Sequence, residues 1–334
     1  MVTRVRSRVW LACVALGVAG VCGGCMINRE LARMHIADGQ KALAAQQREA
    51  ALREFRAAVQ LDPQFAEGHY HLGMAYKEQG ELTLAAESLE QAVRLDPKSV
   101  KPVFELGEVY RLLEKMAQAI RAYVLACELD PQNFDMRFRL ATCYHQMGEY
   151  DKAIDSYQTA VKLQPQNAYA RSNLGAALAA SGQEYEAIKS YKESLECEGA
   201  QPVVLVNLAT VYLNQERWET AHRTLKAALK MDPTLSVGHE RLGYTLWRQG
   251  ALEPAVESYR KALELDANNA AAHAGLGVVL MTLYLDKPDD ASLRDEALEA
   301  WHRSLELKPD QPKLRALVDK YRPKSEPPPL RLED

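Results

Sequence analysis

The side chains able to do metal or acid-base chemistry are scattered along this chain. His69 and His71 stand two residues apart, a spacing that turns them to different sides of a helix rather than toward one ion. Asp286, Asp289 and Asp290 gather in one stretch without the DxDxDG ligands and closing glutamate of a calcium loop. Cys22-Gly-Gly-Cys25 has CxxC spacing, but it ends an apolar N-terminal segment and has no strand-helix context for a redox site. No HExxH, GxSxG or Walker A motif accompanies them. The residues therefore predict no catalytic group, no metal, no cofactor and no small-molecule substrate, and a non-enzymatic protein is expected.

What the chain does carry is rows. Tyr70, Phe104 and Phe138 recur at intervals of 34 residues, and one place further along Arg139, Asn173, Asn207 and Arg241 do the same. Tyr244 and Trp247 follow Arg241 by three and six places. Amides and guanidinium groups can pair with the backbone of an extended peptide, and rings can take its side chains. Two plainer readings stand beside this one. The rings can pack between neighbouring helices, and the polar row can be a solvated face.

The elements that must position these rows repeat with the same period. Pro63, Pro97, Pro131, Pro165 and Pro233 lie on one grid with a spacing of 34, and Gly199 and Ala267 fill the two rungs without proline. A fixed period of this length signals a solenoid. With Ala66 as position 1, each repeat reads as two amphipathic helices, here Ala66 to Gln79 and Leu82 to Leu95, with a turn at Gly80. Position 20 is alanine in all eight repeats, from Ala51 and Ala85 to Ala297. Position 8 is always small, as in Gly73 or Gly243, and position 24 always bulky, as in Leu89 or Tyr259. Helices approach to ~8 Å only over small residues, so the bulky side chain can fill the gap between neighbouring pairs. At 100° per residue, positions 4, 7, 8 and 11 share one side of the first helix and positions 2, 5, 6, 9, 12 and 13 the other.

Leu72, Gly73, Tyr76, Ala85, Ala92 and Pro97 in their register resemble the tetratricopeptide repeat (TPR) family, over residues 32–311. The resemblance implies an all-α fold, a right-handed α-solenoid of about eight TPR helix pairs whose first helices line a concave groove. It places Tyr70, Phe104, Phe138, Arg139, Asn173, Asn207, Arg241, Tyr244 and Trp247 in that groove. Asn173 and Asn207 resemble the asparagine ladder of the repeat arm of nucleocytoplasmic glycosyltransferases, which holds peptides. The carboxylate clamp of chaperone-binding repeats is matched less well, since Tyr70 and Met74 stand where lysine and asparagine are required.

Composition narrows the partner. The formal charge is −4. Loss of residues 1–24, with Arg4, Arg6 and Arg8 and no acid, would lower it by three to −7. A chain of that sign lacks the basic field that nucleic acid requires.

The N-terminus opens with those arginines, then an apolar run from Val9 to Val21, then Gly23, Gly24 and Cys25, the layout of an export signal. Small residues before Cys25 resemble the lipobox of bacterial lipoproteins, although Cys22 stands where leucine is usual. That implies a signal peptide over residues 1–24, a lipid on Cys25 and a linker over 25–31. Methionine after Cys25 resembles lipoproteins sent to the outer membrane. The alternative is an uncleaved anchor, since the 19 residues from Val9 to Ile27 are uncharged and about 20 span a bilayer. Arginines stay inside in both cases, so the repeats face the periplasm.

Three cysteines, Cys127, Cys143 and Cys197, remain after processing, and an odd number cannot all pair. Core filler is the expectation, with a Cys127 to Cys143 bridge as the alternative. The last repeat carries eight extra residues, expected as a longer turn, and residues 312–322 are expected to form a capping helix that covers the end of the stack. Residues 323–334 lack a core-forming pattern and are expected to be disordered. The chain is thus expected to be a scaffold for proteins or peptides of the cell envelope, anchored by lipid on the periplasmic face of the outer membrane. A self-associating assembly factor of pilus or secretion type is the alternative.

Overall fold

A computed structural model describes residues 22–322, with side chains from Met26 onward. Residues 1–21 of the export segment, the acceptor side chain of Cys25 and the tail at 323–334 therefore lie outside the described residues. Within the described residues there are seventeen helices and no strand, and the fold is an all-α solenoid of helix pairs. No described helix is long and apolar enough to cross a membrane. The chain divides into two compact bodies, one ending at Pro165 and one beginning at Gln166.

The first body holds four pairs. These are α1 (Cys22–Ala44) with α2 (Arg48–Leu61), α3 (Ala66–Glu78) with α4 (Leu82–Leu95), α5 (Val100–Leu112) with α6 (Met116–Leu129), and α7 (Phe134–Gln146) with α8 (Tyr150–Leu163). Residues 26–31, expected as a linker, are part of α1. Six helical residues rise about 9 Å instead of the ~20 Å of an extended segment.

The second body holds four more pairs and a last helix. Its pairs are α9 (Ala168–Ala180) with α10 (Glu184–Cys197), α11 (Pro202–Asn214) with α12 (Trp218–Met231), α13 (Ser236–Arg248) with α14 (Leu252–Leu265), and α15 (Ala270–Asp286) with α16 (Ala291–Leu307). Helix α17 (Pro312–Tyr321) buries Leu314 and Val318 and sets Leu317 and Tyr321 against the same core. The eight extra residues do not make a long turn. Seven of them lengthen α15 and α16 to 17 residues each, against 13 and 14 in α13 and α14, and the eighth adds one residue to the turn between them. Leu283, Tyr284 and Leu293 continue the apolar pattern onto the core, so helix gains more burial there than loop.

The packing grid follows from residue size. All eight position-20 alanines are fully buried, and every position-24 side chain is at most 2% exposed. Where position 8 is glycine the bulky side chain sits on it within its own pair, and Phe55 and Tyr259 also fill the gap to the next pair, at His71 and Gly275. A Cβ on Gly107 would come 2.7 Å from Tyr123, and one on Gly277 2.4 Å from Trp301. Position 27 is alanine or serine throughout and completely buried. Where it is serine, Ser194 and Ser304 donate to the carbonyls of Ala168 and Ala270 at 2.8 Å. Gln201 and Gln311, seven residues on, donate back to the two serine carbonyls at 3.0 Å. The serines thus keep alanine's volume and satisfy their own hydroxyls.

Cys127 and Cys143 are buried free thiols, and the half-buried Cys197 sets its Sγ 3.6 Å from Gln166 Oε1. Burial pushes the Cys143 thiol up to about 11, which keeps it protonated and unreactive at neutral pH.

Turns between paired helices place position 15 in the left-handed region. Gly80, Gly148, Gly182 and Gly250 have φ of 74° to 81°, while Gln46, Glu114 and Glu216 hold φ of 56° to 59° in the equivalent place. A Cβ is disfavoured there by roughly 1–2 kcal/mol, offset in glycine by an entropic cost of about 0.5–1 kcal/mol. Glu114→Gly is therefore expected to stabilise the protein by about 0.5–1 kcal/mol in chemical denaturation, and a destabilised variant would refute the strain.

Candidate ligand face of the first helices

In the first body the expected aromatic row is drawn into packing. Phe104 lies 5.8 Å from Tyr123, and Phe138 lies 5.6 Å from Tyr157 and stacks on Phe134 at 5.7 Å. Tyr70 meets His71 at 5.2 Å, and burial, followed by the nearby Glu105 carboxylate, pushes its hydroxyl pKa up. All three rings are half-buried.

Position 6 reaches the preceding repeat. Gln40 and His71 approach to 3.3 Å, and Arg139 Nε lies 3.2 Å from Glu108 Oε1, each a contact between position 9 of one repeat and position 6 of the next. Glu108 also accepts from Arg111 at 2.9 Å and from the Tyr123 hydroxyl at 2.5 Å. Burial pushes the Glu108 carboxyl up, but the bonds from Arg111 and Tyr123 and the charges of Arg139 and Arg111 outweigh it and hold the group below its ordinary value. Arg139 is thus engaged within the protein.

The second body leaves more of the row available. Asn173 Nδ2 donates to the Tyr169 carbonyl at 2.8 Å, one turn back on α9. Asn207 is exposed and makes no hydrogen bond among the described residues. Arg241 Nε lies 3.5 Å from Glu240 Oε2, too far for a good hydrogen bond. Burial pushes the Glu240 carboxyl up against the opposing charge of Arg241.

Beside Arg241 a cleft of about 320 Å³ opens between α11 and α13. Trp218, the first residue of α12, walls it, with Tyr244 at 6.3 Å in a T-shaped contact and the Arg248 guanidinium 4.2 Å over the indole. Arg248 also donates to the Tyr244 hydroxyl at 3.2 Å and lies 3.8 Å from Glu216. Trp247, expected beside Tyr244, is 5.8 Å from it and half-buried against the core of α13 to α17. The sequence reading missed Trp218 and Arg248. Arg248 stands at position 13 of the variable side and was within reach, whereas Trp218 lies on a second helix and carries no such signal. Among the described residues no group of three His, Cys, Asp or Glu side chains can hold a metal.

The depressed Glu108 carboxyl stabilises the fold fully above its ordinary value of 4.5, and the contribution is lost as pH falls through the lower folded-state value. Glu108→Gln is expected to cost about 1–3 kcal/mol at pH 7. Denaturation repeated at pH 3 should show the gap narrowing, and a gap independent of pH would refute the assignment.

No curated protein sequence matches the chain significantly. Among solved structures, a tetratricopeptide repeat protein from Parabacteroides merdae ATCC 43184 is 17% identical, with a TM-score of 0.62 over 76% of this chain and 97% of its own. The APC/C hetero-tetramer Cut9-Hcn1 is 21% identical, with a TM-score of 0.58 over 82% of this chain and 52% of that one. MamA is 29% identical over 51% of this chain and 93% of its own, with a TM-score of 0.49. The first two likenesses are of fold. Family models for the TPR repeat and the tetratricopeptide repeat match residues 39–80 and 66–99. A third, described as the Cilia and flagella-associated protein 70 C-terminal domain, matches residues 101–277, just over half of the chain. With the period, the paired helices and these matches in agreement, the chain belongs to the tetratricopeptide repeat family.

Proposed function

We propose that this protein is a non-enzymatic scaffold that binds extended segments of protein partners on the first-helix face of its second body. The observation that carries the reading is the free Asn207 amide one turn from a cleft walled by Trp218, Tyr244, Arg241 and Arg248. An exposed amide has both a donor and an acceptor for a peptide backbone. A cleft with an indole, a phenol and two guanidinium groups suits a partner side chain that is apolar or acidic. The rings of the first body, Tyr70, Phe104 and Phe138, contribute chiefly to packing. Lipid attachment at Cys25 would hold the scaffold at the periplasmic face of the cell envelope, where its partners are envelope proteins. The signal layout of residues 1–24 and the small residues before Cys25 support that placement.

Two measurements test these statements. A partner captured by crosslinking from envelope fractions should bind the Asn173→Ala, Asn207→Ala double variant at least about tenfold more weakly in titration, since each lost hydrogen bond to a desolvated backbone group costs on the order of 1 kcal/mol. Stability should move by no more than about 0.5 kcal/mol, and Lys162→Ala should bind as wild type. Unchanged affinity in the double variant would move the site off this face. Separately, Cys25→Ser should abolish metabolic lipid labelling and leave the precursor at full mass. A wild-type chain with no label and full precursor mass would establish the uncleaved anchor in its place.

A further inference from the structure

Position 2 of the repeat is exposed in all eight first helices, and its chemistry changes between the two bodies. Arg33, Glu67, Lys101 and Asp135 occupy it in the first, and Tyr169, Val203, Val237 and Ala271 in the second. Tyr169, Val203 and Val237 are 67%, 57% and 52% exposed. A single exposed apolar residue needs no explanation, but a row of them at equivalent points of successive helices marks an interaction surface. Four residues further along each helix, on the same side, stand Asn173, Asn207 and Arg241. The second body therefore carries two parallel rows, one apolar and one rich in hydrogen-bonding groups.

The distance between successive members of each row selects the conformation of what can lie on them. Helices α9, α11, α13 and α15 touch in that order, and helices in contact lie about 8–10 Å apart. A polyproline-II chain returns a side chain to the same face every three residues, or about 9.3 Å. A β-strand does so every two residues, about 6.6–6.8 Å, and falls out of step after one helix. An α-helix returns after seven residues at about 10.5 Å. It could follow the apolar row, but its backbone groups are already bonded to one another and would leave the amide row unused. The polyproline-II backbone has no internal hydrogen bonds, so its carbonyls are available to Asn207 and, after a change of partner, to Asn173.

We propose that the second body binds a polyproline-II segment with an apolar residue at every third position, seated in turn on Tyr169, Val203 and Val237, while the position-6 side chains hydrogen-bond its backbone. The proposal rests on the first-helix face being the binding face and adds the conformation and period of the ligand. Arg241 is the one charged side chain in the two rows, so the segment is neutral apart from an acid at that end. The first body excludes the same segment, because an apolar residue seated on Arg33, Glu67, Lys101 or Asp135 would desolvate a charge.

The test uses two end-capped peptides of twelve residues and identical composition, one with leucine at every third position, (Leu-Pro-Ser) four times over, and one with its leucines clustered. Titrated against the full chain, the regular peptide should bind at least about tenfold more tightly than the clustered one. Val203→Asp should weaken the regular peptide at least about tenfold with an unchanged helical circular dichroism spectrum, and Lys101→Ala, at the same position in the first body, should have no effect. Equal affinity for the two peptides, indifference to Val203→Asp, or no binding of either at millimolar concentration would overturn the period-three proposal. Those outcomes leave the binding face itself to stand or fall with the captured partner and the Asn173→Ala, Asn207→Ala variant.

Discussion

The contact on which this architecture depends is the seating of the bulky position-24 side chain on the small position-8 residue of its own helix pair. Six of these position-8 residues are glycines, and a Cβ on any of them would lie 2.4–2.9 Å from the facing side chain. No real side chain tolerates that approach without displacement, so the glycine sets how near the two helices come. Fully buried alanine or serine at positions 20 and 27 extends the same close approach along the second helix. Van der Waals packing at this density leaves little freedom, and every pair is therefore built to nearly the same dimensions.

That constancy converts a sequence period into a spatial one. Once the pairs have equal dimensions, residues at one repeat position form a row within each body, whatever their chemistry. The contact also restricts the neighbouring rows. Position 6 lies over the position-24 side chain of the preceding repeat, and Gly275 is a glycine because a Cβ there would meet the Tyr259 ring at 2.3 Å. In the first body the position holds groups that find a partner one repeat back, as Arg139 does at Glu108 and His71 at Gln40. A row that looks like a ligand ladder is in part the seam between repeats.

The deviations from the repeat are accommodated by the same rule. Ser194 and Ser304 replace alanine without added bulk and spend their hydroxyls on the carbonyls of the partner helix. Most of the extra residues of the last repeat are absorbed as added turns of α15 and α16, where Leu283, Tyr284 and Leu293 gain core contacts. Three repeats place Gln46, Glu114 and Glu216 in a turn conformation suited to glycine, and the surrounding helix pair holds them there.

The sequence alone determined the all-α class, the number of repeats, the helix pairing and the alternation of small and bulky positions. All of these rest on local periodicity and residue size, which thirty-four residues are enough to display. It also marked one side of each first helix as unconstrained, and Asn207 and Tyr244 are indeed on an accessible face there. Only the tertiary structure decided which side chains on that side remain free. The ring of Phe138 is taken up by Phe134 and Tyr157, and the charge of Arg139 by Glu108, while Trp218 is brought from the next helix to close a cleft that no first-helix pattern contains. The physical reason is that a buried position is defined by its own hydrophobicity, whereas the engagement of a polar or aromatic group depends on what stands within a few ångströms of it across the neighbouring helix or repeat.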